Sequence, residues 1–124
     1  MKTETLIYDK LKKVLPKEAT STILFALVTS TSYELFFYSK INGFEKQQQC
    51  FKLSEMGVID DKELDEVFLD ISNIIKGIPE YSDDMINVLT YEINSLGVKL
   101  LIEHFDKTYS IYKIKKNWKN KYIL

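Results

Sequence analysis

Arginine is absent from this chain, and all seventeen basic residues are lysines. Bidentate recognition of phosphate or guanine is an arginine speciality, so a base-reading module lacks its usual tool here, although lysine still holds phosphate as a point charge. Histidine occurs once, at His104, which excludes a two-histidine metal site and a helix-borne histidine pair. Cysteine also occurs once, at Cys50, so no internal disulfide forms and a reducing compartment is expected. The four glycines, at 43, 57, 77 and 97, are isolated and leave no glycine-rich phosphate loop. There is no linker-like run of Pro, Gly or Ser and no internal repeat. No apolar stretch approaches the ~18–20 residues that span a bilayer. The opening MKTETLIYDKLKK carries no apolar run behind its charges, so it does not read as a secretory signal. A cytoplasmic protein is expected, with residues 1–124 forming a single domain and no membrane contact.

What is present is material for a core. The 45% apolar and 28% charged content argues against disorder, and eight Tyr and seven Phe join Trp118 as large buriable side chains. A domain of this size buries roughly two-thirds of its unfolded surface, so no metal or disulfide staple is required. The near-zero net charge of −1 conceals a strong segregation. Residues 1–53 hold eight Lys and five acids; residues 54–106 hold three Lys and thirteen acids; residues 107–124 hold six Lys and no acid. Such separation creates local fields able to steer a charged partner.

Ile7, Leu11, Val14 and Leu15 mark a short first helix that Pro16 should end. Residues 22–28 are apolar on both alternating sets, as a strand covered on both faces would be. Residues 32–40 read as a second strand, Asn42-Gly43 as a turn, and residues 44–53 as a third, more polar edge strand. The long helix is the best-marked element: Asp60 as N-cap, Glu63 three residues on, Ile59 able to staple to Leu64, and Gly77 as the stop. Its apolar face is Leu64, Val67, Phe68, Ile71, Ile74 and Ile75. Residues 78–86 read as a loop. A second hairpin follows, turning at Gly97, and from Thr108 the spacing of Ile111, Ile114, Trp118 and Tyr122 predicts a last amphipathic helix. The expected fold is α+β in the order α-β-β-β-α-β-β-α, an antiparallel sheet with helices packed mainly on one face.

Catalytic chemistry finds little to work with. His104 reads as a packed or hydrogen-bonded structural residue; the functional alternative is a general base oriented by Asp106 or Glu103. Cys50 reads as an inert strand cysteine, the alternative being a thiolate–imidazole pair with His104. The pairs Asp60/Asp61 and Asp83/Asp84 fall in cap and loop positions, without the alternating ligands and Gly of a calcium loop. No enzyme, no catalytic residue, no metal and no cofactor is expected.

The acids of the long helix are different in kind. Glu63, Glu66 and Asp70 fall at i, i+3 and i+7, with Asp60, Asp61 and Asp65 toward the N-terminus, where the helix dipole favours them. Leu69 lies beside this stripe as an apolar anchor, and Glu80, Asp83 and Asp84 follow in the loop. A solvated helix face is the bland reading; a docking surface for a cationic partner is the functional one. Lys113, Lys115, Lys116, Lys119 and Lys121 at the C-terminus invite a nucleic-acid reading, but Trp118 and Tyr122 share a stripe with Ile111 and Ile114 and read as core. The sheet around Phe36 and Tyr38 offers a third possibility, a small-ligand pocket.

Two motifs carry a family resemblance. Tyr33-Glu34-Leu35-Phe36-Phe37-Tyr38, followed by a turn and a polar strand, is similar to the acidic–aromatic strand of the YezG-type antitoxin (immunity protein) family. Residues 114–124, IKKNWKNKYIL, are similar to that family's C-terminal helix with its Trp and final Tyr-Leu, and residues 87–93 sit where it has its penultimate strand. The chain has Met85-Ile86 where the family tends to carry a Trp, and it turns basic after the last strand where the family stays acidic. The resemblance implies an immunity protein that binds and neutralises a cognate bacterial toxin domain, commonly a nuclease delivered between bacteria, with no direct nucleic-acid contact. The toxin-facing residues expected on charge are Glu63, Glu66, Asp70, Leu69, Glu80, Asp83 and Asp84.

Overall fold

Ten consecutive residues, Ala19–Val28, form β1, the strand around which the rest of the computed structural model is arranged. The structure describes residues 2–124, in the order α1 (Thr3–Leu11), β1, β2 (Tyr33–Ile41), β3 (Gln48–Gln49), α2 (Cys50–Glu55), α3 (Asp61–Lys76), β4 (Met85–Asn94), β5 (Gly97–Asp106) and α4 (Ile111–Tyr122). The strands make one antiparallel sheet in the spatial order β3-β2-β1-β4-β5. β1 is central, and its seven residues 22–28 are all buried, as the apolar character of both alternating sets predicts. The order α-β-β-β-α-β-β-α holds, with the short α2 added before the long helix.

Alternation along β2 assigns the helices to their faces. Phe36 and Phe37 are neighbours and so point to opposite sides of the sheet. Phe37 meets Phe68 of α3 edge to face, with ring centroids 6.2 Å apart. Phe36 stacks on Phe25 at 4.7 Å and meets Trp118 of α4 at 5.5 Å. Three helices therefore share one face, α1 against α3 and α2 against β2, while α4 covers the other. Trp118 is buried, and its indole N–H donates to Thr90 Oγ1 at 2.9 Å, so the core there is closed without an unmet donor. Ile114 and Trp118 are core, which is what their helical spacing predicts.

One expected element is replaced. The edge strand over residues 44–53 shrinks to Gln48–Gln49, and Cys50–Glu55 winds into α2. Cys50 and Leu53, three residues apart, are both fully buried, a helical spacing that lets one short turn plug the space beside β2. Cys50 is consequently not on a strand. Boundaries move elsewhere: α1 stops at Leu11, short of Val14, Leu15 and Pro16, β4 begins at Met85, and α4 begins at Ile111 behind an N-cap from Ser110. At the Asn42-Gly43 turn only Gly43 takes positive φ, at +95°. Among the described residues, no helix is long and apolar enough to cross a membrane.

Candidate functional site

α3 begins where the sequence says it should. Asp60 Oδ2 accepts from the Glu63 backbone N–H at 2.9 Å, and buried Ile59 precedes the cap while buried Leu64 follows it. Asp61 is bonded by the Ser54 hydroxyl, which ties the start of α3 to α2. The buried face is Leu64, Val67, Phe68, Ile71, Ser72 and Ile75, and the Ser72 hydroxyl is satisfied by the Leu69 carbonyl. Burying that face fixes the rotation of the helix and hence what it turns outward.

Glu63 and Glu66 are exposed, one turn apart, and neither forms an ion pair among the described residues. Asp65 is exposed on the other flank of the helix. Leu69 lies between these flanks and is 45% exposed, an apolar side chain without cover. Asp70 behaves differently: it is half-buried and pairs with Lys10 of α1 at 3.6 Å. Helical spacing runs Glu63, Glu66 and Asp70 along the side of α3 that turns toward α1, while Lys62 and Asn73 share the outward arc with Leu69. The anionic stripe is therefore strongest over the first two turns and partly neutralised at Asp70.

Glu80, Asp83 and Asp84 are exposed but belong to a separate patch past the C-terminal end of α3, about 20 Å from Glu63 along the helix axis. Two side chains hold this loop. Asn87, buried at the start of β4, accepts from Ser82 N–H at 2.9 Å and donates to the carbonyls of Ser82 at 2.8 Å and Val28 at 3.1 Å. His104 Nε2 donates to the Glu80 carbonyl at 2.6 Å. Asn87 gave no sign of this role in the sequence, where it looks like an ordinary strand residue. Phe51 was equally illegible; it is 43% exposed beside Phe68 and adds apolar surface at the other flank of α3.

The chemistry-bearing residues do not converge. Cys50 sits against β2 and His104 lies on β5, with β1 and β4 between them, a separation of about 14 Å in strand spacings. Burial pushes the Cys50 thiol up to about 11. Asp106 does not orient His104; its carboxylate accepts from the Thr108 N–H at 2.9 Å and hydroxyl at 2.6 Å, which holds it below the usual carboxylate range. Among the described residues, no group of three or more His, Cys, Asp or Glu is placed to hold a metal. The sheet around Phe36 is filled by Trp118, so the protein's own indole occupies the place where the alternative reading put a small-ligand pocket. A concavity of about 680 Å³ lies between the β2–β3 turn and the C-terminus; Glu45 lines it, and none of the expected toxin-facing residues does.

No protein-family model and no curated protein matches this chain. The site thus stands on its geometry: an outward anionic and partly apolar helix face, not a cleft.

Proposed function

We propose that this chain is an immunity protein of the YezG-type antitoxin kind, binding and neutralising a cognate bacterial toxin domain by covering its basic surface or active site. The target class is a nuclease. A nuclease holds phosphate with positive charge, so an acidic face competes for the same surface and accelerates encounter. The observation that carries the reading is the pair Glu63 and Glu66, exposed, in no ion pair among the described residues, and beside the exposed Leu69. Charge supplies steering and register, and the apolar neighbour supplies area to bury. The protein acts in the cytoplasm, needs no cofactor and touches neither membrane nor nucleic acid directly.

The nucleic-acid alternative rests on α4, and two features weigh against it. Trp118 is buried and unable to stack with a base. Of the helix lysines, Lys115 pairs with Glu34 and Lys119 lies over the Phe36 ring at 5.3 Å. A direct test is to look for a secreted protein with a variable C-terminal domain in the neighbouring reading frame and to co-express that domain with this chain. The expected result is restored growth and a stable complex; toxicity unchanged by this chain, with no complex on purification, would overturn the proposal.

A further inference from the structure

The two edges of the sheet are finished differently. β3 is two residues long and runs directly into α2, so it offers little unpaired backbone. β5 is ten residues long, pairs with β4 along its whole length without a register shift, and is outermost. Among the described residues, no backbone hydrogen bond beyond the β4 ladder involves residues 97–105. An unbroken edge of this kind is a template for another strand. It also displays apolar surface, with Val98 at 41% and Leu101 at 45% exposure.

The charges on β5 say what fits there. Lys99 and Glu103 lie on one face of the strand, symmetrically about Leu101, and neither forms an ion pair among the described residues. When a strand pairs antiparallel with its own copy about a two-fold axis, every residue faces one of the same parity. With Leu101 on the axis, Lys99 faces Glu103 of the second copy, and Glu103 faces Lys99 in return. Leu100 then faces Ile102 of the second copy, twice over. Every neighbouring register is worse. Centring on Lys99 or Glu103 sets a like charge against itself, and centring on Leu100 or Ile102 leaves the charges opposite Leu, Gly or Phe.

We propose that β5 pairs with β5 of a second copy of this chain, centred on Leu101, to form a two-fold dimer with one continuous sheet. Lys99 and Glu103 guard the edge against foreign strands and select the self-complementary one. α3 packs over β1 and β2, away from the β5 edge, so Glu63 and Glu66 stay open in the dimer and this inference is independent of the toxin-binding one.

Sedimentation equilibrium on the full chain tests it, with the variants K99E, E103K and K99E/E103K. All three changes are at exposed positions, and thermal melting checks that each variant folds. The wild type is expected to be a dimer. Each single reversal replaces two attractive cross-strand pairs with repulsive ones and should weaken dimerisation about tenfold or more, while the double exchange should restore it. A monomeric wild type, including one that accepts a strand only from a different protein, would overturn the proposal. So would single reversals without effect, or a double exchange no tighter than the singles.

Discussion

Cys50 shows how far a single side chain is set by its surroundings. It is fully buried, and the Phe37 N–H donates to its sulfur at 3.5 Å. Burial penalises the thiolate and pushes the pKa from 9.0 to about 11. Tyr91, also fully buried, is pushed to about 12 for the same reason. A folded-state pKa raised above the unfolded one stabilises at low pH and loses that contribution as pH rises. The contribution of Cys50 should therefore be intact below pH about 9 and disappear through about 11. Thermal melts from pH 8 upward should fall more steeply for the wild type than for Cys50→Ala; parallel curves would show that burial does not raise the thiol above its unfolded value. At this scale the sequence was a mixed guide. Trp118 was legible as core because its partners recur at helical spacing. The Lys10–Asp70 pair was not, because it depends on how two helices cross.

The best-read element is α3, since its start, stop and buried face are all written locally. Its cap is a single hydrogen bond from Glu63 N–H to Asp60. Asp60→Ala should cost about 1 kcal/mol in denaturant unfolding, with the slope unchanged; a variant as stable as wild type would mean the cap is idle. α2 was missed for a physical reason. Six residues contain a single repeat of apolar spacing, too little to distinguish a turn of helix from an irregular strand, and the space beside β2 decides the matter. The hairpin of β4 and β5 was readable, but β5 as a bare edge was not. Nothing local to those residues says that β4, rather than β5, lies beside β1.

Across the whole molecule, the acidic long helix and the lysine-rich last helix come to lie on opposite faces of one sheet. α3 carries five acids and two lysines on one side, while α4 carries five lysines and no acid on the other. The segregation was legible from composition; its direction was not, because it follows from which face each helix covers. A molecule so polarised presents its negative side to a cationic partner at long range and is repelled from the opposite approach. The decisive measurement is the association rate of this chain with the proposed toxin domain over a range of ionic strengths, for wild type and for E63K/E66K. The account predicts a wild-type rate that climbs steeply as salt is lowered, and a variant about tenfold slower at low salt with a flatter dependence. Identical rates with identical salt dependence would contradict it.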